Sequence, residues 1–293
     1  MVIIFLNNIK IGVLMSQCFN NNINSIDQYI YHYTTLQKGL EYILKDMKLR
    51  LSPLSEVNDP REYQILHPYF ADFDNYTEDD SSEPLQKICE IRDYFNKFRN
   101  NHKVLCFSRD SEKLFNVPEH YKRIYRGFNK PTLWSHYADN HKGLCLIFDR
   151  DKLLESLNNN FGSKKEYNIY KDNHVSYQSL ENHIEKLGIR YKDILNYGLP
   201  KVLDDFIEYN LSNLLFTKTL DWEVENEFRI LVCDNSSEKY LYLPINDSLC
   251  GIVMGAKLPS VYWGSIKEFN IPYAQLEWKN GLPFLKNVFP PMR

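Results

Sequence analysis

Two hydrophobic periods alternate along the chain. In YIYHYTT, residues 29–35, aromatic and β-branched residues put Ile30, His32 and Thr34 on one pleat face, which predicts a strand. LQKGLEYILKDMK then spaces Leu36, Leu40, Ile43, Leu44 and Met47 as one helix face, with Thr34 or Thr35 placed to cap it. LRLSPLSEVNDPRE predicts a short strand ended by Pro53 and a turn at Asn58-Asp59-Pro60. KVLCFSRD, 103–110, reads as a strand, and the polar run that follows to Lys130 as a long loop of the kind that is often functional. TLWSHYADNHKGLCLIFD, 132–149, predicts a short helix, a turn at Gly143 and a buried strand. FRILVCD, KYLYLPI and GIVMGAKLP predict further strands, and the tail from Ala274 has weaker strand character.

Two stretches break this pattern. Residues 67–102 turn acidic at TEDDSSEP and then amphipathic at LQKICEIRDYFNKF. Residues 151–215 read as largely helical, with Val202, Phe206, Leu211, Leu214 and Leu215 along one side of LPKVLDDFIEYNLSNLLF. The expectation is an α+β single domain over 1–293 with a core of 29–66, 103–150 and 216–293. Helical insertions occupy 67–102 and 151–215, and 1–28 is a variable N-terminal extension.

Composition narrows the function classes. A formal net charge of −3 gives no global basic field, so strong general affinity for nucleic acid or anionic membrane is not expected. Six scattered cysteines, three of them inside apolar runs, read as core thiols in a reducing, cytoplasmic compartment. The apolar start lacks a basic leader and a cleavage site, so neither a signal peptide nor a membrane span is expected. The 11 glycines include no dinucleotide fingerprint or phosphate loop. No paired Cys or His spacing calls for a metal, and Ser135 sits in no nucleophile elbow.

The chemistry-bearing stretch is DWEVENEFRILV, 221–232. As a strand it sets Glu225, Glu227 and Arg229 on one face and Phe228, Ile230 and Val232 on the other. A helical reading also fits, with Glu225 and Arg229 as an i,i+4 pair, but the β-branched and aromatic run favours the strand. The bland reading is an exposed salt-bridge ladder. His32 and the WSHYADNHKG segment, with His136, Tyr137 and His141, are the other candidates, and their bland reading is core packing with histidines facing water.

In this order YHYTT, the Asn-Asp-Pro turn, CFS, LWSHYADNHKG and DWEVENEFRI resemble a widespread, mainly bacterial family of domains of unknown function. The resemblance spans roughly 29–255 outside the insertions. A looser resemblance is to ADP-ribosyltransferase domains, and it implies a split β-sheet core and NAD as the substrate. It also implies Glu227, Glu225 and His32 as catalytic residues, with His32, Tyr33, Thr34, Arg50, Tyr137 and Arg229 around the dinucleotide. Glu227 would then begin a strand directly beside the one carrying His32. A carboxylate on the ribose 2′-hydroxyl would stabilise the oxocarbenium-like cation formed as nicotinamide leaves, and the second glutamate would orient an unidentified macromolecular acceptor or water. A bacterial toxin or phage-defence setting goes with that resemblance. Two alternatives stay open. One is a metal-dependent hydrolase or nuclease using Asp59, Glu62, His136, Asp139, Glu225 and Glu227. The other is a non-catalytic interaction module in which these residues form a polar network.

Overall fold

The computed structural model describes residues 17–20, 23–59, 62, 69–70, 82–170, 174–179, 188–236 and 238–289. Its strands are β1 (Tyr29–Thr34), β2 (Lys48–Pro53), β3 (Tyr69–Phe70), β4 (His102–Arg109), β5 (Leu144–Asp149), β6 (Tyr167–Ile169), β7 (Ser176–Gln178), β8 (Gly188–Ile189), β9 (Thr217–Thr219), β10 (Glu227–Asp234), β11 (Leu241–Pro244), β12 (Leu249–Met254), β13 (Tyr273–Lys279) and β14 (Leu282–Phe289). Ten of them form one sheet in the order β11-β2-β4-β1-β5-β12-β13-β14, with β10 on β4 and β6 on β10. The architecture is α+β, as the pattern predicts.

Alternation along β1 explains why the sheet is covered on both sides. Ile30 joins Leu49, Phe107, Phe148 and Ile230 in one core, while Tyr31 and Tyr33 join Trp134, Ile147 and Val253 in the other. The predicted helix after β1 begins at Leu36–Lys38, capped by Thr35, whose side chain accepts from the Lys38 amide, and continues as the π-helical turn Gly39–Leu44. It links β1 to β2 and so sets how far apart the two strands stand.

Several expectations need correction. The run 111–130 is not a bare loop but a series of short helical turns, Glu112–Asn116, Glu119–Lys122 and Arg123–Tyr125. Its Arg126 and the Asp110 that precedes the run are both fully buried and paired at 3.2 Å, and Arg126 also donates to the carbonyls of Cys18 (2.8 Å) and Asn20. Cys18 and Phe19 are thereby fixed in the core. The described part of 1–28 is thus built into the fold, whereas residues 1–16 lie outside the described residues. The insertion 151–215 carries the short strands β6, β7 and β8 besides its helices. Pro60, and residues 77–81 of TEDDSSEP, also lie outside the described residues.

The two insertions meet. Ile91 and Phe95 of the helix Ser82–Asn101 pack against Tyr191, Ile194 and Leu203 of Tyr191–Tyr197 and Leu199–Leu215 in a core of their own. Truncating Phe95, which stands edge-on to Phe206, removes the centre of that small core. Phe95→Ala is expected to cost about 3–5 kcal/mol. In hydrogen exchange the loss should show first in 86–101 and 191–215, with β1, β5 and β12 still protected. Uniform loss across both regions would mean that the insertions and the sheet unfold as one unit.

Candidate functional site

β4 carries the site because it pairs with three strands. β10 runs along one edge, from Glu227 opposite Ser108 to Cys233 opposite His102. On the other edge β1 pairs only at Ser108 and Arg109, and β2 only at Lys103 and Val104. Between them, at Leu105, Cys106 and Phe107, β1 and β2 splay apart and open a cleft of about 760 Å³. That volume falls within the roughly 300–1,000 Å³ of small-molecule sites.

His32 stands in this fork. Its Nδ1 lies 3.1 Å from the Cys106 carbonyl, which can only accept, so Nδ1 carries the proton. Burial lowers the His32 pKa, which keeps the ring neutral. Nε2 is therefore a hydrogen-bond acceptor. Thr34 and Tyr33 also line the cleft, although the Tyr33 hydroxyl is already committed to the Gly127 carbonyl at 2.7 Å. The loop after Trp134 docks against β1 so closely that a Cβ on Gly143 would lie 2.2 Å from the Thr34 carbonyl.

The stretch 221–232 departs from the expected strand. Leu220–Glu225 is a 3-10 helix, Asn226 adopts a left-handed conformation (φ 44°), and β10 begins at Glu227. Asparagine tolerates that conformation, and here it is held by the Asp110 carbonyl and by Arg109. Glu225 and Glu227 converge because the chain turns at Asn226, not because they share a pleat face. Glu227 is one strand removed from His32, with β4 between, yet both line the cleft.

The carboxylates are tied to two buried cations. Arg229 chelates Glu227 through Nε at 2.7 Å and Nη2 at 3.1 Å, and also reaches Glu62 at 2.8 Å and the Leu215 carbonyl at 2.7 Å. The Lys218 ammonium is 2.8 Å from Glu225, 2.8 Å from Glu227 and 3.7 Å from Glu62, and it sits over the Trp222 ring. Glu225 accepts from the Tyr137 hydroxyl at 2.6 Å. Burial alone would raise the Glu227 pKa, but Arg229 and Lys218 hold it well below the usual carboxylate range. For Glu62 burial wins over the same two cations, and its pKa is raised.

The other candidates divide. Tyr137 is on a helix, at the end of Pro131–Tyr137, and still meets Glu225. Arg50 is exposed on β2, over the Tyr240 ring and on the cleft wall with Lys38 and Lys48. Arg229 is fully buried, chelates Glu227 and does not line the cleft, so, contrary to expectation, it is not placed around a dinucleotide there. His136 and Asp139 are exposed and do not line the cleft, although His136 packs against the Trp222 ring, and His141 stacks on Trp134. Among the described residues no group of three or more His, Cys, Asp or Glu is placed to hold a metal ion. Lys218, and the neutral tautomer of His32, escaped the sequence reasoning. The missed signal was Asn226, a residue prone to the left-handed turn, between the two glutamates.

The segment that delivers Tyr137, Lys218, Glu225 and Glu227 also carries a likeness to a family model. Residues 133–230 match the family model described as Protein of unknown function, DUF2971. The DUF2971 match is narrower than the 29–255 resemblance and includes Trp134 to Gly143 and Trp222 to Arg229. No curated protein and no solved structure matches the chain. Among the described residues no helix is long and apolar enough to cross a membrane.

Glu227 is the structural centre of the cluster. Glu227→Gln should lower stability at pH 7 by about 3–5 kcal/mol, because it leaves buried charge without its partner. The folded pKa of Glu227 lies below the unfolded value, so its contribution is present above roughly pH 4.3 and is lost as pH falls. In urea unfolding the gap between parent and variant should therefore shrink below that pH. Equal stability at pH 7 would show that the pair with Arg229 holds nothing together.

Proposed function

We propose that the cleft binds NAD and that the protein cleaves its nicotinamide–ribose bond, passing ADP-ribose to a macromolecular acceptor or to water. The observation that carries this reading is that one cleft, opened by the split of β1 from β2, presents the His32 acceptor nitrogen and the Glu225 carboxylate together. Lys38, Lys48 and Arg50 on the same cleft suit the pyrophosphate.

The chemistry divides between the two glutamates differently from the first expectation. Glu227 is chelated by Arg229 and shared with Lys218, so it is already neutralised by full ion pairs. The Glu225 carboxylate has one ion pair, to Lys218, and one neutral tyrosine donor, with the Lys130 ammonium on its backbone carbonyl. It is the better partner for a positive charge developing on the ribose, because its own charge is less compensated. His32 Nε2 accepts from a ribose hydroxyl and fixes the sugar. Nicotinamide leaves as the neutral base with the electron pair of the broken bond, and the acceptor's O–H or N–H adds at C1′ and gives up its proton to solvent water.

The mutual pairing of Glu227 and Arg229 favours a structural role for those two residues and assigns the catalytic weight to Glu225. A bacterial cytoplasmic effector acting on macromolecules is the setting that goes with this activity. With NAD labelled in both nicotinamide and adenylate, the parent should release nicotinamide and leave the second label as ADP-ribose or on an acceptor. Glu225→Gln should slow that release by on the order of 10²- to 10³-fold, with a smaller loss of stability than Glu227→Gln because Lys218 keeps Glu227 as a partner. Inertness of the parent toward NAD, or an unimpaired Glu225→Gln variant, would overturn the assignment.

A further inference from the structure

We propose that Lys218 is a positioning residue whose ammonium holds Glu225 and Glu227 together in the charged state and turns the Glu225 carboxylate into the cleft. This rests on the NAD-cleaving reading and adds to it a residue from β9. Lys218 Nζ lies 2.8 Å from one oxygen of each glutamate, so the two carboxylates are near neighbours that would repel without it. Glu62, at 3.7 Å, adds a third. The amine is fixed by its surroundings. Lys218 is buried on β9, which pairs with β7, and its Nζ lies 5.3 Å from the centre of the Trp222 ring.

Charged and titratable groups reach this point from every neighbouring element. Tyr137 comes from the helix Pro131–Tyr137, Lys130 from the residue just before that helix, Cys106 from β4, Tyr177 from β7, Arg229 from β10, and Glu62 from its own segment. Arg229 serves Glu227, Glu62 and the Leu215 carbonyl, while the second oxygen of Glu225 takes the Tyr137 hydroxyl. The Glu225 carboxylate itself is ion-paired by Lys218, while the Lys130 ammonium donates to the Glu225 backbone carbonyl at 2.9 Å. Take it away and the glutamates titrate as a pair, with one proton retained to higher pH.

The test compares Lys218→Met, which removes the charge at similar length, with Lys218→Arg, which keeps it. Nicotinamide release is followed across pH, and the glutamate carboxyls are followed by 13C NMR without NAD. In Lys218→Met the acidic limb of kcat should move up by about one pH unit or more, with KM for NAD changed less than twofold, and Lys218→Arg should restore most of the parent profile. If Lys218→Met does not fold, Lys218→Gln, which keeps N–H donors without charge, replaces it with the same expectations. An unmoved acidic limb, or an arginine variant no better than the uncharged one, overturns the proposal. If the parent releases no nicotinamide, the NAD reading falls, and the carboxyl titrations decide alone. An upward shift of a glutamate carboxyl on loss of the charge supports the Lys218 clamp, and unchanged titrations refute it.

Discussion

A strand edge can satisfy only one partner at each residue, and β4 has two strands competing for one of its edges. β1 takes Ser108 and Arg109, and β2 takes Lys103 and Val104. Because the helical turn that follows β1 leads straight into β2, neither strand can continue along Leu105–Phe107 without displacing the other. The Cys106 carbonyl that this leaves on the edge is paired by the imidazole of His32. The same geometric conflict thus opens the cleft, places a histidine in it and selects that histidine's tautomer.

The second determinant is electrostatic. Glu225, Glu227, Lys218 and Arg229 are all buried, and isolated charges at such depth would be strongly unfavourable. They coexist because each is bound by opposite charge and by hydrogen bonds from several elements: β9, β10, the turn at Asn226 and the helix ending at Tyr137. Such a network stabilises weakly compared with an apolar core of the same size, but breaking it is costly. That asymmetry ties the insertion, which supplies the chain leading into β9, to the sheet that carries the cleft. It also limits how far Glu225 can move, which suits a carboxylate that must meet charge at a fixed place.

Much of this was legible in the sequence, and the misses have identifiable causes. Strand-like residue runs located β1, β2, β4, β5 and β10 to within a few residues, by alternation at β1 and at β10 and as a continuous apolar run at β5. Helical spacing located the turn after β1 and the long helix of each insertion. Glu225, Glu227, His32 and Tyr137 were singled out by residue type, and all line the cleft. Alternation failed at Glu225 because it presumes unbroken extended backbone, and Asn226 breaks it. It failed for Arg229, which looked available for a ligand, since a charged residue on a strand face carries no mark of whether that face is covered. Lys218 gave no signal at all: a lysine between two threonines reads as a solvated edge until three carboxylates are folded against it.

The central claim is that the fork between β1 and β2 is an NAD site with His32 as a ribose acceptor. It is tested most directly by nitrogen-15 NMR of the histidine rings during titration with NAD. The account predicts an Nδ1–H tautomer for His32 in the free protein and a saturable change at its Nε2 resonance as the dinucleotide binds. A His32 ring that stays unchanged at saturating NAD would contradict it.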